Sequence, residues 1–380
     1  MNPQDRLKIL SSDMDFELAE DHNCPKIDSK KKYSGFVHDA VMPNGKTIPL
    51  LKTLLTSACE RDCHYCPFRA GRNFRRTTLK PDEMAQVFIG MHRAGIVEGL
   101  FLSSGLIGGG VSTQDRLLDT AQILRQKLGF KGYLHLKIMP GVEFDQVEQA
   151  LRLANRVSIN LEAPNAKRLD ILAPHKHFSD ELIKPLKWIN KIRSANSNKT
   201  GWNGRWPSVA TQFVVGGAGE SDVELLTTTE YLYQELKLRR AYYSPFNPVK
   251  DTPLESQPAT NLQRESRLYQ ASFLIRDYGF SMEELPFNQQ GNLPHDSDPK
   301  LSWAKLHLSN NPIEINDASK EELLRIPGIG PKGAAVLLSE RNKNRMTTTE
   351  ELRKIGINPL RVAPFILING FRPTRQLSFL

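Results

Sequence analysis

The chain has 380 residues, and its 51 Lys and Arg against 42 Asp and Glu give a formal net charge of +9. A chain of this length buries a substantial core without staples, and four cysteines are too few for a disulfide-rich secreted protein. No uninterrupted apolar run approaches the roughly 20 residues of a membrane span. The sequence therefore predicts a soluble cytoplasmic protein with no membrane partner, whose positive charge favours a polyanionic partner.

From about residue 50, short apolar runs alternate with amphipathic stretches. The runs predict six strands: TIPLLKTLLTS, VEGLFLSS, KGYLHLKIM, RVSINLEA, SVATQFVVGG and RRAYYSPF. Amphipathic stretches from LKPDEMAQVFIGMHRAG to TNLQRESRLYQASFLIRDYG predict helices between and after these strands. Six strand and helix units predict an α/β fold with parallel strands and right-handed crossovers. Because a closed barrel needs eight such units, the predicted form is an open, partial (β/α)6 barrel.

Composition divides the chain into four segments. Residues 1–50 are predicted to form an N-terminal extension and residues 51–285 the partial barrel. Residues 286–311 are rich in Asn, Pro and Asp and are predicted to be a linker. Residues 312–380 are predicted to form a small all-α domain that begins with a helix over Ser319 to Ile326.

Three of the four cysteines lie within eight residues, directly after the first predicted strand: Cys59, Cys63 and Cys66. Chemistry in parallel α/β folds collects at the carboxyl ends of the strands, so these thiolates are predicted to face one metal centre. One hypothesis is zinc, closed by a fourth ligand from His64, His92 or Cys24. The other is a 4Fe-4S cube in which one iron has no protein ligand.

The segment CERDCHYC resembles the C-x3-C-x-aromatic-C motif of the radical S-adenosylmethionine (SAM) superfamily, with Tyr65 in the aromatic position. The resemblance implies an enzyme in which Cys59, Cys63 and Cys66 hold a 4Fe-4S cluster and SAM binds the open iron. Electron transfer then cleaves SAM to give a 5'-deoxyadenosyl radical. The resemblance also implies an electron donor of the flavodoxin or ferredoxin type.

Two later segments resemble SAM-binding elements of the same superfamily. LFLSSGL stands where the superfamily has a Gly-Gly-Glu turn, so the resemblance implies contacts from Ser103, Ser104 and Gly105 to the methionine amino group. The glutamate of that turn is missing here. SINLEAP resembles the ribose-binding strand, in which Asn160 and Glu162 are expected to alternate onto one face.

The segment VVGGAGESD resembles the adenine-binding element of the superfamily, which implies cofactor contacts from Gly217 and Glu220. Ordinary loop chemistry is the alternative for both residues. His175 and His177 are candidates for substrate contact or proton transfer, with a polar loop as the alternative. Cys24 is left over and is predicted to be a structural thiol.

Near the C-terminus, LLRIPGIGPKGAAVLL resembles a helix-hairpin-helix motif through Gly328, Ile329, Gly330 and Lys332. Backbone N–H groups at the start of the second helix, together with the lysine, suit a phosphate. TTTEELRKIGINPLRVAPFI looks like a degenerate second hairpin. The resemblance implies DNA binding that is independent of sequence and weakens with salt. Packing or protein docking is the alternative use of such a hairpin.

Four arginines follow the cysteines: Arg69, Arg72, Arg75 and Arg76. They are predicted to hold a DNA backbone beside the metal centre, with a solvated loop as the alternative. The barrel and hairpin together resemble a bacterial family of radical SAM proteins described as DNA modification or repair proteins. That family is associated with a protein related to uracil-DNA glycosylases.

The sequence therefore predicts a radical SAM enzyme that acts on a nucleotide of DNA. A nucleotide within a duplex is flipped out first, at a cost of roughly a few kcal/mol. Three alternatives remain: a radical SAM enzyme that modifies tRNA, one that acts on a protein or small metabolite, and a zinc-bound DNA-binding protein without catalytic activity.

Overall fold

The structure is a computed structural model that describes residues 1–12, 14, 37–41, 46–195 and 201–373. It divides into two compact units. The first comprises Met1–Glu220 and Tyr231–Thr260, and the second comprises Ser221–Glu230 and Asn261–Leu380. The chain therefore leaves the first unit for the last time after Thr260, whereas the barrel was predicted to end at residue 285.

The described part of the first unit is built on a seven-stranded sheet in the order β1 to β7. Its strands are β1 (Val37–Val41), β2 (Thr47–Leu54), β3 (Gly99–Ser103), β4 (Tyr133–Lys137), β5 (Arg156–Glu162), β6 (Ser208–Val215) and β7 (Arg240–Pro245). β1 pairs antiparallel with β2, and every later neighbouring pair is parallel. The predicted α/β fold is confirmed as a curled half-barrel. The six predicted strands are β2 to β7, and β1 adds an edge strand from the segment predicted to be an extension.

Helices connect the parallel strands, as parallel pairing requires. The connecting helices are α2 (Pro81–Arg93), α3 (Gly109–Gln122), α4 (Phe144–Leu153), α5 (Ala166–Leu172), α6 (Lys184–Ala195) and α7 (Asp222–Gln234). In the chain, α1 (Pro3–Ser12) precedes β1 and α8 (Leu262–Tyr278) follows β7. α5 is an addition to the predicted pattern, and a π-helical turn over Phe178–Ile183 leads into α6. Within the described ranges, no helix is long and apolar enough to cross a membrane.

Both faces of the parallel sheet are buried, but they differ in chemistry. On one face, Leu100 of β3 and Leu134 of β4 are paired in register and fully buried. On the other face, Lys52, His135 and Arg156 of β2, β4 and β5 lie at the same level and are also buried. Burial on both faces explains why the strands read as continuous runs rather than as clean alternation.

The second unit is mostly helical. Beyond α8 it contains α9 (Pro299–His307), α10 (Lys320–Arg325), α11 (Pro331–Arg341), α12 (Thr349–Lys354) and α13 (Pro359–Val362). Two short strands, β8 (Ile313–Glu314) and β9 (Ile366–Leu367), pair in parallel. The prediction of an all-α domain is therefore corrected, because the domain also contains this small β element. α9 lies in the predicted linker, yet Ala304 and Leu308 are buried in the same core as Leu323 and Leu337. Residues 286–311 therefore contribute to this core instead of acting only as a linker.

Candidate functional site

The three cysteines lie on the loop between β2 and α2. All three are free thiols; Cys63 is buried, and Cys59 and Cys66 are partly exposed. Burial raises the pKa of Cys63 and of Cys66. The charge of Cys59 also raises the pKa of Cys63, and the charges of Cys63 and Cys59 also raise the pKa of Cys66. In the described chain, no three His, Cys, Asp or Glu side chains converge as ligands of a single metal ion. Thiols desolvated in this way lose their protons only where a metal centre or a cation compensates the charge.

The turn after β3 packs directly on the cysteine loop. The Gly105 N–H donates to the Thr56 carbonyl at 2.7 Å. A Cβ atom on Gly105 would lie 2.2 Å from the Ala58 carbonyl oxygen, which is far too close for any side chain. The next N–H, of Leu106, is 3.4 Å from the Cys59 Sγ. Gly105 is therefore required for the close approach that positions the backbone leading into the first cysteine.

The other predicted residues of this turn are also buried. Ser103 and Ser104 have exposed fractions of 5% and 9%, and the Ser104 hydroxyl donates to the Gly105 carbonyl. Glu60, which lies within the cysteine motif, accepts the N–H groups of Gly108 and Gly109 at 2.9 and 3.1 Å. Its carboxylate therefore binds the backbone that follows this turn. Contacts from Ser103, Ser104 and Gly105 to SAM remain a prediction.

A β-bulge interrupts the end of β5. The pairing with β6 shifts register between Asn160 and Glu162, and Glu162 has a positive φ of 65°. The expected alternation of these two residues onto one face is therefore broken. Glu162 Oε1 accepts from Lys176 Nζ at 2.9 Å, and Oε2 is buried with no hydrogen-bond partner in the described part of the chain. Burial raises the pKa of Tyr65, and the charge of Glu162 raises it further.

The sequence-based predictions do not include Lys176, which lies between His175 and His177. Its side chain is only 10% exposed. Burial disfavours its charged form, but the charges of Cys63 and Glu162 outweigh that effect and raise its pKa. Nothing in the segment APHKHFSD distinguishes this lysine from a solvated one, because its role depends on a cysteine more than 100 residues earlier.

The end of α5 and the residues after it are held against the cysteine loop. The His64 N–H donates to the Leu172 carbonyl at 2.7 Å, and His64 Nδ1 is 2.9 Å from the Ile171 carbonyl oxygen. His175 Nδ1 is 2.8 Å from Asp62 Oδ1, and this hydrogen bond lowers the pKa of Asp62. These contacts place Lys176 beside the thiols.

The candidates for a fourth zinc ligand have other positions. His64 hydrogen bonds to the carbonyls of Ile171 and Leu172 at the end of α5. His92 Nδ1 is 2.9 Å from the Val97 carbonyl oxygen, and its ring packs edge-on against Phe130 at a centroid distance of 4.9 Å. Cys24 lies outside the described residues. The two described histidines thus have structural contacts that account for them.

The turn after β6 is built around Glu220. This carboxylate is 3% exposed and accepts the N–H groups of Gly216 and Ala218. A Cβ atom on Gly217 would lie 2.9 Å from Leu172 Cδ2, so the packing at this glycine leaves little room for a side chain. The alternative of ordinary loop chemistry therefore accounts for both Gly217 and Glu220, and their contacts with SAM remain a prediction.

Three of the four arginines after the cysteines bind the loop itself. Arg76 donates to four loop carbonyls and lies over the Phe74 ring at 4.4 Å. Arg72 donates to the carbonyls of Pro67 and Lys250, and Arg69 donates to that of Asp62. Arg75 is exposed. An irregular loop leaves carbonyls without partners, and these guanidinium groups supply the donors. Arg75 donates to Met1 Sδ at 3.2 Å. The predicted contacts of these four arginines with DNA remain a prediction.

A separate candidate site lies in the second unit, at the turn between α10 and α11. Gly328 has a φ of 92°, Ile329 is buried, and Gly330 caps α11 without a side-chain hydrogen bond. Lys332 is exposed in the first turn of α11. An open cavity of about 700 Å³ is lined by Arg276, Asp277 and residues 330–333. Of the four residues predicted to bind a phosphate here, Gly330 and Lys332 border this cavity.

A buried lysine supports this turn from beneath. Lys300 Nζ donates to the Ile329 carbonyl at 2.6 Å and lies 4.6 Å from the centroid of the Tyr278 ring. Burial lowers the pKa of Lys300 to about 7, against the attraction of Asp298. The ordinary pKa of lysine is 10.5, so the unfolded chain binds a proton between pH 7 and 10.5 that the folded chain does not.

We expect the free energy of unfolding to rise between pH 7 and 10 because of Lys300, by no more than about 4 kcal/mol. Lys300→Met removes the titrating group and should flatten this rise. Urea unfolding at several pH values measures it. Lys305→Met, on the exposed side of α9, is the matched control and should keep the wild-type slope. Equal slopes in both variants would contradict the prediction.

Residues 53–232 match the family model of the radical SAM superfamily. No curated protein matches the chain. Similar solved structures include HydG, a maturase of the [FeFe]-hydrogenase, with 13% identity and a TM-score of 0.46 over 60% of this chain and 49% of that chain. Methylornithine synthase (PylB) has 15% identity and a TM-score of 0.47, over 60% and 61%. A radical SAM methyltransferase from Sphaerobacter thermophilus has 16% identity and a TM-score of 0.44, over 65% and 72%. The chain thus spans about half of HydG and three fifths of PylB.

Proposed function

We propose that this chain is a radical SAM enzyme through its residues 53–232 and that it acts on DNA. The superfamily uses a 4Fe-4S cluster and SAM, so the predicted enzyme class and cofactors are confirmed at the level of the family. When bound, these cofactors supply a 5'-deoxyadenosyl radical that abstracts a hydrogen atom from the substrate. A flavodoxin or ferredoxin is the proposed electron donor.

The residues around the cysteine loop fit these cofactors. Cys59, Cys63 and Cys66 supply three thiols in a largely buried loop, and Lys176 brings a cation to them. Oε2 of Glu162 has no hydrogen-bond partner among the residues that the structure describes, so it is an acceptor suited to a donor on bound SAM. The proposal assigns the cluster to the three cysteines and the SAM amino or hydroxyl groups to Glu162.

The observation that carries the DNA proposal is the cavity at the start of α11. Backbone N–H groups of an uncapped helix start, an exposed Lys332 and the Arg276 guanidinium all border it. Asp277 also borders it and is paired with Arg276 at 2.7 Å. Together with the resemblance of this turn to a helix-hairpin-helix, these groups suit a backbone phosphate. The proposed association with a protein related to uracil-DNA glycosylases rests on the family resemblance alone.

The test of this function is an anaerobic incubation of the reconstituted protein with reductant, SAM and duplex or single-stranded DNA. We expect DNA to stimulate formation of 5'-deoxyadenosine and mass spectrometry to detect an altered nucleoside. Stimulation by tRNA but not by DNA would replace the DNA proposal with RNA modification. No stimulation by either would leave a protein or small metabolite as the substrate class.

Lys332→Ala is expected to weaken DNA binding without changing sequence preference, because the lysine reaches phosphate rather than base edges. The slope of log affinity against log salt should fall by about 1. Fluorescence anisotropy across a salt series measures both effects. Lys343→Ala is the matched control, since Lys343 is exposed but paired with Glu340 at 2.8 Å. An equal loss in both variants would indicate diffuse charge instead of a site at the turn.

A further inference from the structure

A buried ion pair lies beside the cysteine thiols. Lys176 Nζ and Glu162 Oε1 are 2.9 Å apart, and the two side chains are 10% and 5% exposed. Glu162 occupies a left-handed backbone conformation on the bulge, which is uncommon for a residue other than glycine. Buried ion pairs gain little stability over apolar side chains of the same size. The pair therefore calls for a role other than stability.

The pair is polarised toward the thiols. Arg61 donates to the His175 carbonyl, and the Asp62 carboxylate holds the His175 ring, so the residue before Lys176 is fixed to the cysteine loop. Of the charges that act on Cys63, Lys176 has the largest effect and Glu162 the next, with the opposite sign. The positive end of the pair therefore dominates at this thiol.

We propose that Lys176 is a positioning residue that raises the reduction potential of the cluster held by the three cysteines, and that Glu162 moderates this effect. The inference rests on the proposed radical SAM function. Reduction by the flavodoxin-type or ferredoxin-type donor adds one electron, and hence one negative charge, to the cluster. A buried cation nearby stabilises the reduced form, and a buried carboxylate destabilises it. The two side chains therefore act on the potential in opposite directions.

The experiment is a redox titration of the anaerobically reconstituted full-length protein, followed by electron paramagnetic resonance. At the potential where half of the wild-type cluster is reduced, Lys176→Met should lower the ratio of reduced to oxidised cluster by about tenfold, or 59 mV for one electron. Glu162→Gln should raise the same ratio. Lys176→Arg keeps the charge and should stay close to the wild type.

Lys167→Met, on the exposed side of α5, is the control and should leave the potential unchanged. Iron and sulfide content and thermal unfolding establish that each variant holds an intact cluster. A structural ion pair would change the unfolding temperature in both variants without opposite shifts in potential. If Lys176→Met loses the cluster, the reduction potential of Glu162→Gln tests the proposal instead. A potential above that of the wild type supports the proposal, and an unchanged or lower potential overturns it.

Different results would overturn the proposed cluster function and the proposed role of Lys176. A wild-type protein that takes up no 4Fe-4S cluster on reconstitution would overturn the cluster function, and the role of Lys176 with it. A wild-type cluster with a normal signal, combined with equal potentials in Lys176→Met and Glu162→Gln, would overturn only the role of Lys176.

Discussion

Replacing Cys63 with alanine is expected to abolish both cluster binding and the formation of 5'-deoxyadenosine from SAM. Cys63 is the most buried of the three thiols, and no other cysteine of the described chain is available to replace it. We expect activity to fall by more than about 100-fold, because even residues that only support a metal ligand cost 10- to 100-fold. Iron and sulfide content, visible absorbance and mass spectrometry of the SAM products measure the loss.

Cys24→Ala is the matched control for this prediction. The proposed site is complete with the motif cysteines and SAM, so Cys24→Ala should retain the cluster and its activity. Loss of metal in Cys24→Ala to the same extent as in Cys63→Ala would contradict the proposal. That result would favour a closed site with four cysteine ligands, as expected of structural zinc.

Gly105→Ala is expected to destabilise the protein and to impair cluster binding without removing any ligand. The new methyl group would lie 2.2 Å from the Ala58 carbonyl oxygen and 3.1 Å from that of Thr56. The backbone before Cys59 must therefore shift, and overpacking of this kind costs about 1–3 kcal/mol. Chemical denaturation and the iron content of the reconstituted variant measure the two effects separately.

The control substitution is Gly90→Ala. A Cβ atom at Gly90 meets nothing within 4 Å, and the residue lies inside α2. Alanine is the better helix former by about 1 kcal/mol, so this variant should be as stable as the wild type or more stable. If Gly105→Ala retained normal stability and iron content, the cysteine loop would have to be able to shift, and the proposed requirement for glycine would be wrong.

Much of the barrel could be predicted from the sequence because its signals are local. The runs SVATQFVVGG and RRAYYSPF predict strands that the structure places at Ser208–Val215 and Arg240–Pro245. The periodicity of each segment depends on neighbours two to four residues away, which the sequence displays directly. The spacing of the three cysteines is equally local, so their loop after the first parallel strand was predicted as well.

The sequence by itself therefore determined the order of strands and helices and the position of the cysteine motif. Only the tertiary structure decided what surrounds that motif. A β-bulge interrupts the alternation of side chains at Glu162. Arg76 donates to carbonyls of its own loop, and Lys176 lies close enough to Cys63 for their charges to interact. These outcomes depend on burial and on contacts between segments far apart in the chain. The local sequence around a charged residue does not indicate whether its side chain will contact solvent, a carbonyl or a thiolate.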